Sequence, residues 1–252
     1  MTHEAFSLVA LAVIFGGALL GMFLRARLPE SHLGADTKDV VRLGAGLIGT
    51  LAALVVGLMI ASAKTSYDAQ SGYVSRMSAD LVQLDRILSE YGPETGEARD
   101  MLRPAVAQLI DRIWGQGDLG LAGTAPFGES GVGQAAIQKI QELAPKNDLQ
   151  RFLQARAVSA AGDLQHARFL LAAQPGNPIP PPFLLMLIAW HAIIFASFSL
   201  FAPWNATLVV VLFLLAASAS GAIFLILDLS RPFVGVMNIS SAPLRNALGE
   251  SH

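Results

Sequence analysis

Three constellations in this 252-residue chain have residue types and spacings that could do chemistry. Gly44, Gly46 and Gly49 stand in the GxGxxG spacing of a dinucleotide-binding loop, with Asp68 about twenty residues further on. That chemistry needs a strand before the glycines, so that a pyrophosphate meets the start of the following helix. Here the glycines open a long uncharged run, so they are read as helix-packing positions. Gly128 to Gln134 (GESGVGQ) has the outline of a phosphate-binding loop. Gln134 stands where a lysine must reach the phosphates, and Ala135 where a hydroxyl must hold magnesium, so the chemistry fails. The third set is ionisable. His191 lies inside an apolar stretch, and Asp228 closes another, three residues before Arg231. An ionisable group within a membrane span is a functional candidate by default. His191 is expected to be a neutral imidazole hydrogen-bonded between helices. Asp228 is expected to pair with Arg231 at the interface or to stand at a pore mouth.

Other chemistries find no residues. There is no cysteine, and the five histidines (3, 32, 166, 191 and 252) form neither HExxH nor a helical pair. No Ser/His/Asp set is suggested by spacing. No cofactor, metal site or enzyme is expected. A net charge of −2 leaves no nucleic-acid footprint.

The elements that would position these residues belong to a membrane protein. Only 14% of residues are charged, well below the roughly 25% of soluble domains. Four apolar runs can cross a bilayer: Ala5 to Leu24, Gly44 to Ala63, Phe183 to Ala202 and Thr207 to Leu227. The first lacks the basic residues that open a signal peptide, ends at Arg25 and Arg27, and carries a GxxxG step at Gly17 and Gly21. The second carries two stripes. Ala45, Gly49, Ala53, Gly57 and Ala61 recur every four residues, a small-residue edge expected to pack against the chain's own helices. Ile48, Leu51, Val55, Leu58 and Ser62 lie about half a turn away and face lipid, another helix or a pore.

Between the hairpins, 64–182 reads as a helical extramembrane insertion. Tyr67, Val74, Met77, Leu81, Leu84, Leu88 and Tyr91 form an a/d seam, with only Gln70 out of pattern. The seam is expected to continue the second span and to pack within the chain or between chains. Gly92-Pro93 ends it. Thr95 is expected to cap a helix containing Pro104, and Asn147 or Asp148 a last one over 149–173; Asp36 or Thr37 should cap the second span. The segment 115–133 reads as loop. The domain organisation is therefore a hairpin over 5–63, the insertion, a hairpin over 183–228 and an amphiphilic tail over 229–252 containing RPFVG. The fold class is an all-α integral membrane protein, multi-pass in the cell (inner/plasma) membrane, with four transmembrane helices flanking a helical bundle.

LPESHLGADTKDVVRLGAGLIGTLAALVVGLMIASAKTSYD, LDRILSEYGPET and FASFSLFAPWNATLVVVLFLLAASASGAIFLILDLSRPFVGVMNISSAPLRNAL resemble, along nearly the whole chain, the four-span bacterial family labelled bestrophin-like domain of unknown function. By that resemblance the chain forms a homo-oligomer (a pentamer) in the lipid bilayer and conducts inorganic ions, anions foremost. Its pore would be lined by the second span at Ile48, Leu51, Val55, Leu58 and Ser62. The resemblance implies a cytoplasmic insertion, whereas the absence of Lys and Arg before the first span and the two Arg after it favour an outside N-terminus. No Phe lies between Phe23 and Phe127 for an aromatic neck, so a constriction would be aliphatic. The alternative function is a non-conducting scaffold or sensor whose insertion binds a partner. A weaker third is a coupled transporter using His191.

Overall fold

The structure is a computed structural model that describes residues 3–115, 131–173 and 179–247. Residues 116–130, which include Gly128 to Ser130 of the phosphate-loop outline and most of the expected 115–133 loop, lie outside the described residues; the outline's remainder, from Gly131, is already helical. All the regular elements described are helices: α1 (His3–Arg27), α2 (Ala35–Tyr91), α3 (Gly96–Trp114), α4 (Gly131–Gln141), α5 (Asp148–Ala173), α6 (Pro181–Leu200), α7 (Ala206–Leu229) and α8 (Ala242–Ala247). Four of them, α1, α2, α6 and α7, are long and apolar enough to cross a membrane, as the charge-free runs predict. The chain divides into two compact units. One comprises Met1–Thr65 with Pro178–Ser230, the other Ser66–Asn177 with Arg231–His252.

In the first unit, α1 buries Ala10, Ile14, Ala18 and Met22, one residue per turn along one face. Beside that line, Gly17 and Gly21 lie against the backbone of α6. A Cβ on Gly17 would meet the Ala192 carbonyl, and one on Gly21 would meet the Ala196 carbonyl and the Ser199 hydroxyl. The GxxxG step is therefore a close helix crossing, as its spacing suggests. α6 opens on Pro181, whose missing N–H costs nothing in a first turn. Asn205 caps α7, its Oδ1 accepting from the Leu208 N–H at 2.6 Å. Phe213 of α7 meets Phe15 edge-on with ring centroids 5.5 Å apart, and Ser220 donates to the Ser7 carbonyl at 2.6 Å. α1, α6 and α7 thus share one apolar core.

α2 is a single helix of 57 residues, about 85 Å long, where a hydrocarbon core takes about 30 Å. It begins at Ala35, so Asp36 and Thr37 sit inside its first turn instead of capping it. There Asp36 complements the helix dipole. Buried or half-buried positions at Ala45, Ile48, Ala52, Val56, Met59, Ala63, Tyr67, Gln70, Val74, Met77, Leu81, Leu84, Leu88 and Tyr91 recur at gaps of three and four along one face, with others such as Gly49, Val55 and Ile87 beside them. Gly92, at φ +130°, ends it.

In the second unit the seam is buried within the chain, from Val74 to Tyr91, against α3, α4, α5 and the tail. Thr95 does not cap α3. Its hydroxyl turns back to the carbonyls of Leu88, at 2.7 Å, and Gly92, at 2.8 Å, because the end of α2 is buried and its carbonyls need partners. Gln150 of α5 donates to the Tyr91 carbonyl at 3.2 Å. Asn147 does cap α5, accepting from the Gln150 N–H at 2.8 Å. Leu149, in the first turn of α5, is exposed. Arg99 of α3 forks onto Asp85 of α2 at 2.9 and 3.0 Å. The tail belongs to this core: Ile239 and Leu244 are buried, and Trp114 donates to the Ile239 carbonyl at 2.7 Å.

Candidate functional site

The distinctive surface is the membrane segment of α2. Only 11% of its most apolar window is buried, against 28–33% for α1, α6 and α7. The other three helices cover one another and leave α2 touching them along one ridge. That ridge is Ala45, Ile48, Ala52, Val56, Met59 and Ala63. The alanines let backbones approach while Ile48, Val56 and Met59 fill the space between.

This ridge falls between the two stripes read from the sequence. Of the small-residue edge, Ala45 is buried and Gly49 is half-buried, 3.9 Å from the Ile194 Cδ1 for an added Cβ. Ala53, Gly57 and Ala61 are exposed, and a Cβ on Gly57 would meet nothing within 4 Å. The expected docking of that whole edge on the chain's own bundle is corrected accordingly. Successive residues turn by about 100°, so an edge stepping every four residues drifts away from a straight ridge within two turns. Of the bulky stripe, Ile48 packs against the unit's own core and Val55 is half-buried, while Leu51 (44%) and Leu58 (71%) are exposed. Ser62 is exposed at the end of the segment.

Directly opposite the ridge stand Leu43, Leu47 and Leu54, all exposed. Sequence reasoning missed them because they fall in neither stripe. The signal was present, since they share an arc with Leu51 and Leu58. The bare arc of α2 thus has two unlike flanks. Leu47, Leu51, Leu54 and Leu58 form one; Gly46, Thr50, Ala53, Gly57 and Ala61 form the other. The Thr50 hydroxyl donates back to the Leu47 carbonyl at 2.8 Å, which removes its need for an outside acceptor.

The polar candidates are not gathered on this arc. His191 is half-buried in α6, its Nδ1 2.8 Å from the Leu187 carbonyl oxygen. A carbonyl only accepts, so Nδ1 carries the proton, and the bond runs within the helix instead of between helices. Asp228 is buried in the last turn of α7, and Arg231 is half-buried two residues past that helix. No group of three or more His, Cys, Asp or Glu able to hold a metal occurs among the described residues.

A family profile described as Bestrophin-like domain matches residues 12–244. Two crystal structures of mutated forms of a bacterial bestrophin homolog from Klebsiella pneumoniae have similar folds. Their TM-scores are 0.64 and 0.65 at 14% identity, over 96% and 99% of this chain and 99% of each of those chains. At that identity the likeness is one of fold. No curated protein matches the chain.

Proposed function

The chain belongs to the Bestrophin-like family, and from that premise we propose that it forms an oligomeric ion channel, selective for anions, with α2 around the axis. The observation that carries this reading is the bare arc of α2 beside three helices that satisfy one another. A helix lining an axis needs its own subunit behind it, a neighbour at its side and water in front. The ridge through Ala52 and Val56 supplies the first contact, the flank of Ala53, Gly57 and Ala61 the second, and the leucine flank the third. The constriction is formed by Leu47, Leu51, Leu54 and Leu58. Of the five lining residues implied by the resemblance, Ile48 and Val55 stand behind it as support and Ser62 at its mouth. Narrow apolar rings gate by expelling water, since an ion cannot cross without its hydration.

The test is ion flux from liposomes containing the purified protein. Leu54→Ala and Leu58→Ala widen an aliphatic gate and should raise chloride flux several-fold over the parent. No flux from the parent or either variant, in vesicles shown to contain folded protein, overturns the reading. A non-conducting scaffold is the rival. It is favoured by a groove of the second unit lined by Val82, Gln83, Arg86, Glu90 and Arg156, the last lying over the ring of exposed Phe152.

A further inference from the structure

The RPFVG stretch has no part in the channel reading, yet it builds a defined surface feature. The main chain from Pro232 to Ile239 is a closed turn: the Ile239 N–H donates to the Pro232 carbonyl at 2.6 Å, and the Val234 N–H to the Arg231 carbonyl at 3.1 Å. Gly235, at φ +130°, makes the reversal in a conformation that side-chain-bearing residues rarely adopt. The base of the turn is fastened. Pro232 and Ile239 are buried, Phe233 meets Trp114 edge-on at 5.4 Å, and Trp114 donates to the Ile239 carbonyl. The tip points its apolar side chains outward: Val234 and Met237 are exposed, and Val236 is 80% exposed. A fixed turn presenting three apolar side chains to water is costly unless something covers them.

We propose that the turn Val234–Met237 is a membrane-interface anchor whose partner is the lipid surface. The occupant follows from continuity with a span. α7 ends at Leu229, and its 24 residues rise about 36 Å, enough to bring that end to the edge of a hydrocarbon core about 30 Å thick. Pro232 is three residues further on, at most about 11 Å of extended chain. Arg231 precedes the apolar tip, while Asn238, Ser240 and Ser241 follow it. From the tip onward this is the order of an interfacial segment: apolar side chains for the acyl boundary, then polar residues for water.

The chain has no cysteine, so Val236→Cys and Met237→Cys each give a single site for a nitroxide label in the full-length protein. Collision rates with oxygen, which concentrates in lipid, and with a water-soluble nickel chelate are measured in liposomes of mixed neutral and anionic phospholipid. Oxygen rates severalfold above nickel rates at both positions are expected. Nickel rates equal to or above the oxygen rates mean a water-exposed turn and overturn the proposal. An immobilised label reached by neither reagent means cover by protein, a second copy included, and overturns it as well.

Discussion

Placing one methyl group at Gly21 and the same group at Gly16 should have opposite effects on stability. Both glycines lie in α1, five residues apart, so helix propensity and membrane depth are closely matched. At Gly16 an added Cβ has nothing within 4 Å. Ala there gains up to about 1 kcal/mol of helix propensity at no steric cost. At Gly21 the same Cβ runs into the Ala196 carbonyl and the Ser199 hydroxyl. The hydroxyl can rotate away, but it already donates to the Phe195 carbonyl at 2.8 Å. The Ala196 carbonyl belongs to the backbone of α6 and moves only if the helices part. Overpacking of that kind costs about 1–3 kcal/mol, against the same gain in propensity. Gly16→Ala is therefore expected to be neutral or slightly stabilising, and Gly21→Ala to be up to about 2 kcal/mol less stable than the parent. Unfolding in mixed micelles by increasing denaturing detergent, followed by far-ultraviolet circular dichroism, measures both. Equal midpoints for the two variants would refute the close crossing of α1 and α6. Gly17→Ala, which meets only backbone atoms of Ala192, should behave like Gly21→Ala.

Two further outcomes concern the second unit. Gln70 is 1% exposed and its Nε2 has no hydrogen-bond partner, so Gln70→Leu should raise the unfolding free energy by about 1 kcal/mol, read from the shifted midpoint; a loss of that size would mean the amide is satisfied in solution. The Asp80 carboxyl is held above the usual carboxylate range, first by burial and then by Asp163, with Arg76 opposing, and its Oδ2 is buried without a partner. The native state then holds this proton to higher pH than the unfolded chain does. The group's cost is absent below the ordinary carboxylate value and sets in as pH rises through the raised one. Asp80→Asn should leave the melting temperature unchanged at the acid end and raise it at neutral pH, flattening that part of a pH–melting profile; a lower neutral melting temperature would show the carboxylate to be stabilising.

What could be read from the sequence were features that repeat or exclude. Charge-free runs of twenty residues gave the spans, because a bilayer rejects charges regardless of what packs beside them. Alternating gaps of three and four from Val74 to Tyr91 gave the buried seam, and the four-residue step from Gly17 to Gly21 gave a close crossing. Periodicity groups residues on a face without saying what that face meets. The small edge and the bulky stripe of α2 were therefore each legible, while the ridge between them, a mixture of Ala52, Val56 and Met59, was not. Thr95 shows the same limit locally. A threonine just before a helix caps it when the helix start is the end in need, but here the carbonyls at Leu88 and Gly92 lay nearer and were buried. The tail turn was hidden because its fastening is long-range: Trp114 precedes Ile239 by 125 residues.

Acyl chains cover leucine as readily as another helix does, so the two flanks of the bare arc of α2 are told apart by their glycines. On the small-residue flank, Gly46 and Gly57 have open space where a Cβ would stand. Each forfeits about 0.5–1 kcal/mol of helix stability relative to alanine. Lipid gives nothing back for a missing side chain, because it fills the gap whatever its shape. Another backbone does give something back, because the missing Cβ lets two helices gain dispersion and weak C–H···O contacts along their length. The glycine flank is thus the side on which a second helix is worth most. Within this reading the leucine flank, whose single glycine is Gly44 at the start of the span, faces the axis. Two unlike flanks on one helix also fit a head-to-tail ring, in which each flank has its own role, better than a two-fold pair in which a single patch must meet itself.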